Sequence, residues 1–195
     1  MPQQTSKAEL RRQALCRRDA VELELRVEAS VAIAEIGKAN LRVSDGDIVS
    51  GFWPIRSEID PRPLMYALRE NGARLCLPVV VDKTTIVFRE LLRGAELVET
   101  GFGTFGPGAD AAVLDPTLML VPLAAFDSAG HRIGYGAGHY DRAIASLHSK
   151  GANPQLVGVA FETQEVDVVP CEGHDVALSA VLTERGLRAM PAENS

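Results

Sequence analysis

Short, almost wholly apolar runs alternate along this chain with stretches of helical spacing, and that alternation restricts the fold more than any other feature. Thr117 to Val121 and Leu156 to Phe161 are nearly continuous apolar segments, and Arg74 to Val81 is apolar enough to lie inside a sheet. Strands of this kind must be covered on both faces, which is the situation of parallel strands between helical layers. Asp47 to Trp53, Thr85 to Leu91 and Ala180 to Thr183 read as further strands. Between them, Asp60-Pro61 opens a helix that Asn71-Gly72 closes, and Tyr140 to Lys150 forms another that ends at Gly151 and Pro154. Strands alternating with helices predict an α/β fold with a mostly parallel sheet, whose working loops lie at the strands' carboxyl ends.

The amino-terminal third adds a long helix. Ser6-Lys7-Ala8-Glu9 has capping-box spacing, and Leu10, Ala14, Val21, Leu25, Ala29, Ala32 and Ile36 form one stripe. The stripe predicts one amphipathic helix, kinked near Asp19, that stops at Gly37 or Asn40. Gly101 to Asp110, rich in glycine and broken by proline, is expected to be a loop, and Pro122 to Gly138 is rich in turns. One domain over residues 1–190 with a loose tail at 191–195 accounts for the chain's 195 residues.

Charge narrows the function classes. The net is −6, which argues against nucleic acid or an anionic membrane surface as partner. The first 18 residues nevertheless carry five basic groups (Lys7, Arg11, Arg12, Arg17, Arg18) against the single acid Glu9. No apolar run approaches the ~18 residues of a membrane span, and no secretory leader is expected. The three scattered cysteines fit a reducing compartment, so the expected location is cytoplasmic.

The densest chemistry is in Arg132-Ile-Gly134-Tyr-Gly136-Ala-Gly138-His-Tyr140-Asp141-Arg142, which follows a buried strand and opens a helix. Alternate glycines let backbone N–H groups approach an anion, and a helix amino terminus adds partial positive charge. Arg132 and Arg142 are placed to contact the same anion. A Rossmann fingerprint is excluded because His139 stands where its third glycine belongs, and a P-loop lacks its Gly-Lys-Ser/Thr. Lys7 and Arg11 share one face of the first helix as a phosphate clamp or as solvated charge, while Arg12, Arg17 and Arg18 read as surface groups. Glu58, Asp141 and Asp175 are the acids near loop-to-element junctions. The four histidines lack HExxH spacing, and no covalent nucleophile with a base is evident.

Together these residues resemble the 5-formyltetrahydrofolate cyclo-ligase family, over Lys7 to about Thr183. The block Leu120 to Asp127 followed by Gly130 to Arg142 carries most of the likeness. Lys7-x-x-x-Arg11, Trp53 to Asp60, Leu77-Pro78, Val157 to Gln164, Val169-Pro170 and His174-Asp175 support it. The resemblance implies an α/β/α three-layer sandwich similar to ribose-phosphate isomerases and CoA transferases. It further implies ATP-dependent closure of 5-formyltetrahydrofolate to 5,10-methenyltetrahydrofolate, with Mg²⁺ as cofactor. Carried over by position, Lys7, Arg11, Arg132, Ile133, Gly134, Tyr135, Gly136, Ala137, Gly138, His139 and Tyr140 would hold ATP, with Arg132 and Lys7 as the catalytic cations. Trp53, Glu58, Phe102, His139 and Tyr140 would meet the folate, and Asp141 and Asp175 the metal. Ala137 stands where the family pattern commonly has glycine or lysine, and His139 where it commonly has tyrosine. The enzyme is expected to be a monomer or weak homodimer. The competing readings are a phosphosugar isomerase or CoA-transferase-like enzyme of the same fold, and a non-catalytic nucleotide- or folate-binding module.

Overall fold

The computed structural model describes residues 6–101, 103–173 and 175–191. In chain order the elements are α1 (Lys7–Asp19), α2 (Leu23–Asn40), β1 (Ile48–Ser50), α3 (Arg62–Glu70), β2 (Arg74–Val80) and β3 (Ile86–Glu90). There follow β4 (Leu97–Gly101), β5 (Thr104–Pro107), β6 (Leu118–Pro122), β7 (Ala125–Phe126) and β8 (Arg132–Ile133). The remainder is α4 (His139–Ser149), β9 (Gln155–Val159), a 3₁₀ turn (Glu162–Gln164), β10 (Ala180–Thr183) and β11 (Gly186–Ala189).

Seven strands form one sheet in the order β11-β10-β9-β6-β1-β2-β3. The five central strands are parallel, and each edge strand runs antiparallel to its neighbour. The alternation of side chains along β6 shows why both faces need cover. Leu118 and Leu120 enter the core beneath α2 and α3, with Ile33, Leu64 and Leu68. Met119 and Val121 enter the opposite core beneath α4, with Ile144 and Leu147. All four are at most 3% exposed. The expected α/β/α sandwich with a mostly parallel sheet is therefore the fold.

Gly158 on β9 illustrates the packing density. A Cβ there would lie 2.6 Å from Leu178 Cδ1 and 2.8 Å from Leu123 Cδ2. Both leucines are 2% exposed and have little room to retreat. Gly158→Ala is expected to lower stability by about 1–3 kcal/mol, read as a lower urea midpoint with an unchanged slope.

Four expectations change. The single amino-terminal helix is two helices, because its apolar stripe serves two surfaces. Ala14 of α1 packs with Ala125, Ile133 and Val169, whereas Ala29 and Ile33 of α2 join the core under the sheet. At the break, the Arg26 guanidinium donates to Val21 O at 2.7 Å and Asp19 O at 2.8 Å, satisfying carbonyls that a continuous helix would have bonded internally. Leu25, read as part of the stripe, is 52% exposed. The expected loop after Gly101 includes β5, which pairs antiparallel with β4 as a two-stranded ribbon. Strand β1 is shorter than the predicted Asp47–Trp53, and β11, missed in the sequence, pairs with β10. Among the described residues no helix is long and apolar enough to cross a membrane. Residues 192–195 of the expected tail lie outside the described residues.

From β1 the chain moves one way to β2, and it later returns to place β6 on the other side of β1. The order of strands therefore reverses at the β1–β6 boundary, where α/β sheets open a crevice at the carboxyl ends of their strands.

Candidate active site

A cavity of about 520 Å³ occupies that position. Phe52 and Trp53 enter it from beyond β1, Pro78 and Val80 from β2, and Pro122 from the end of β6. Lys7 and Arg11 of α1, Arg132 of β8, the whole loop from Ile133 to His139, and Tyr140 and Asp141 of α4 complete one side, with Glu172 and Asp175. Trp53 and Glu58 therefore share a space with Lys7, Arg11, Arg132 to Tyr140, Asp141 and Asp175, although these residues are spread over most of the chain. Phe102 and His174 lie outside the described residues.

The glycine-rich loop adopts a shape few sequences permit. Gly136 and Gly138 have φ of +99° and +66°, a left-handed backbone that costs other residues roughly 1–2 kcal/mol each. Among the described residues, no protein acceptor takes the backbone N–H groups of Tyr135, Gly136, Ala137 or Gly138. They precede the amino terminus of α4, whose first-turn N–H groups have no acceptor within the helix. Arg11 Nε donates to Gly134 O at 2.7 Å, so α1 is tied to the loop. Arg142 does not line the cavity, contrary to the sequence reading. Its guanidinium donates to Thr84 O at 2.7 Å and Ala137 O at 2.6 Å, strapping the loop to the β2–β3 turn. His139 Nε2 lies 3.1 Å from Lys83 O at the same turn.

Two of the candidate cations, Arg132 and Lys7, each face a candidate carboxylate. The Arg132 side chain is only 6% exposed; it donates to Asp141 Oδ1 at 2.5 Å and to Val176 O. Lys7 Nζ lies 2.7 Å from Asp175 Oδ2 and 3.2 Å from Glu172 Oε1, and the hydrogen bond to Asp175 raises its pKa. Glu172 was not singled out in the sequence, where nothing but its position three residues before Asp175 marks it. Among the described residues no group of three His, Cys, Asp or Glu side chains is gathered as a metal centre. Two carboxylates with hard oxygen donors nevertheless fit a magnesium ion that takes its other ligands from phosphate and water.

Another part of the cavity's lining is aromatic. Trp53 lines it, with the Arg62 guanidinium 4.8 Å from its ring centroid and Arg62 paired to Asp60 at 2.6 Å. Phe105 of β5 lines it also, a residue the expected loop concealed. Glu58 Oε2 accepts from Ile55 N at 2.9 Å, and Oε1 accepts from the Tyr135 hydroxyl at 2.6 Å. Burial raises the Glu58 carboxyl above its usual range despite these bonds. The Tyr140 hydroxyl is buried without a partner among the described residues, and burial raises its pKa, so it remains a donor in a residue that lines the cavity.

The model of the 5-formyltetrahydrofolate cyclo-ligase family matches residues 3–184. The chain is 34% identical over 161 residues to the 5-formyltetrahydrofolate cyclo-ligase of Mycolicibacterium smegmatis, covering 78% of this chain and 81% of that one. It is 32% identical over 141 residues to the Escherichia coli enzyme of the same name, covering 69% and 76%. The NMR structure of Aquifex aeolicus 5,10-methenyltetrahydrofolate synthetase superimposes with a TM-score of 0.80 at 26% identity, covering 97% of this chain and 95% of that one. The chain belongs to the 5-formyltetrahydrofolate cyclo-ligase family.

Proposed function

We propose that this chain converts 5-formyltetrahydrofolate to 5,10-methenyltetrahydrofolate at the expense of ATP, and that both substrates meet in the cavity at the β1–β6 boundary. The observation that carries the reading is the cavity's division into two chemistries. One part of the lining offers Lys7, Arg11, Arg132 and unpaired loop N–H groups, which suits a triphosphate. The other part of the lining offers Phe52, Trp53 and Phe105 together with the Glu58 carboxylate, which suits a planar ring bearing N–H donors. A phosphosugar or CoA-ester enzyme would need no such aromatic cleft with a half-buried acceptor.

Ring closure needs the formyl oxygen made into a leaving group. That oxygen attacks the γ-phosphorus, forming an O–P bond while the bond to the ADP oxygen breaks. N10 then attacks the formyl carbon and loses its proton, and phosphate departs with the former formyl oxygen. Such transfers depend on positioning and charge neutralisation more than on a protein nucleophile. Arg132 and Lys7 neutralise the transferring group, while the loop fixes the phosphates in line. Trp53 and Glu58 hold the ring, and the Tyr140 hydroxyl supplies a donor at the interior of the cavity. Asp141 and Asp175 would hold magnesium, which spreads the developing charge over the phosphates. These carboxylates pair with Lys7 and Arg132, the two cations assigned to the transferring group, so the residues that would hold the metal and the phosphates are adjacent. A cytoplasmic location belongs to the same proposal.

Purified protein given 5-formyltetrahydrofolate, ATP and Mg²⁺ is expected to develop the near-ultraviolet absorbance of the conjugated methenyl product. Loss of the signal on omitting ATP, and its suppression by a chelator, complete the expected result. A folded protein that binds the folate but forms no product with every component present would instead be the non-catalytic binding module.

A further inference from the structure

Arg18 is 1% exposed and does not line the cavity. Its sequence position, beside Arg17 in the last turn of α1, reads as surface charge, and the structure reverses that reading. The guanidinium lies under the glycine-rich loop. Nη1 donates to the Tyr135 hydroxyl oxygen at 2.5 Å, and Nε donates to Ser57 Oγ at 2.9 Å. Ser57 in turn donates to Asp19, the next residue of α1. Tyr135 passes its own proton on, donating to Glu58 Oε1 at 2.6 Å. A buried cation is thus joined to a half-buried carboxylate by one phenol, and that phenol belongs to the loop assigned to phosphate.

The arrangement is over-determined for a packing role. A buried arginine that only filled space would be matched directly with a carboxylate, and Asp19 is the carboxylate that shares Ser57 with it. Here Ser57 stands between Arg18 and Asp19, while the remaining guanidinium contact goes to the cavity wall. A tyrosine that donates to a carboxylate and accepts from a cation has both of its polar functions fixed, so its ring and the loop backbone are fixed with it.

We propose that Arg18 is a positioning residue for the reaction, acting through the Tyr135 hydroxyl to hold Glu58 as a hydrogen-bond acceptor and to tie the glycine-rich loop to the ring-binding residues. The proposal rests on the assignment of Glu58 to the folate ring. Four elements present groups to Glu58. The glycine-rich loop gives the Tyr135 hydroxyl, α1 the Arg18 charge, its own turn the Arg56 charge and Ile55 N, and α4 the Tyr140 phenol. The Tyr135 bond and the Arg18 and Arg56 charges favour the carboxylate, whereas burial opposes it. Removal of the Tyr135 donor therefore lets Glu58 bind its proton at higher pH, and a protonated Glu58 presents one acceptor fewer to ring N–H groups.

Tyr135→Phe keeps the ring and removes one oxygen, so it tests the relay with little risk to folding. Carboxyl-carbon NMR of the ligand-free protein follows Glu58 titration, and quenching of Trp53, the chain's only tryptophan, follows 5-formyltetrahydrofolate binding. In Tyr135→Phe the Glu58 midpoint is expected to rise by about one pH unit, with binding weakened about tenfold on the acid limb and far less at alkaline pH. Arg18→Met is expected to move the acid limb the same way, and Arg18→Lys, which keeps the charge but not the fork, to restore part of it. An unchanged Glu58 titration in Tyr135→Phe, or a loss of binding equal at every pH, would overturn the proposal. A shifted titration in a protein whose wild type does not bind 5-formyltetrahydrofolate would leave the relay standing and overturn the folate assignment instead.

Discussion

Glu58→Gln is expected to weaken binding of the reduced folate by about 1.5–3 kcal/mol while leaving the protein as stable as the wild type, or more so, near neutral pH. The loss follows from replacing a charged acceptor with a neutral amide. A carboxylate accepts ring N–H groups with both oxygens, whereas the amide presents one oxygen and turns an NH₂ donor toward the same groups. The stability half has the opposite sign because burial raises the Glu58 carboxyl above its usual range. A raised folded-state pKa means that Glu58 supports the fold fully below the ordinary glutamate range. That support is lost as pH rises through the raised value. The amide variant has no such loss. Urea midpoints across that window should converge with the wild type at acid pH and exceed it near neutrality, while Trp53 quenching reports the weakened folate binding. A destabilised variant with folate affinity intact would remove Glu58 from the ring site.

Arg132→Ala is expected to lower kcat/KM for ATP by about 10²–10³, the range found when one preorganised donor to a developing charge is removed. Arg132 occupies a position that few side chains could fill. With 6% of its side chain exposed it bridges Asp141 and Val176 O, so one guanidinium joins the first turn of α4 to the segment after Asp175. Loss of the fork leaves Asp141 without its partner and releases both ends of the phosphate site. Arg132→Lys restores the charge but cannot make both bonds, and its recovery should be small. Folate binding read by Trp53 should be nearly unchanged, because the aromatic residues have no bond to Arg132. Unaltered ATP kinetics in either variant would remove Arg132 from the phosphate site.

Residues whose role depends on their immediate neighbours were legible in the sequence. Gly136 and Gly138 announced a loop of unusual backbone, and their φ values of +99° and +66° require glycine. Leu118 to Val121 announced a strand buried on both faces, and Asp60-Pro61 and Asn71-Gly72 bracketed α3 to within two residues. The capping box was legible only in part. Ser6 accepts from Glu9 N, but the Glu9 carboxylate turns to Arg12 and Gln13 rather than back to the cap.

Other assignments depended on which surface a segment meets. The stripe from Leu10 to Ile36 has one period but two destinations, so α1 and α2 separate. Thr104 to Pro107 carries too little pattern to show that β4 would pair with it. Arg142 and Arg132 flank the same loop, yet one straps its outside and the other lines the cavity. Arg18, grouped with surface charge, is held inside by Ser57 and Tyr135.

By itself the sequence determined the doubly covered parallel sheet, the glycine-rich loop of left-handed backbone and the family, because caps, hydrophobic period and motif spacing are properties of consecutive residues. Only the tertiary structure decided the electrostatic partners: Lys7 with Asp175 across 168 positions, and Arg18 with Tyr135 across 117. Such pairs form where the reversal of strand order at β1 and β6 folds distant segments over one crevice. There a buried charge must find whatever opposite or polar group the fold has brought within reach.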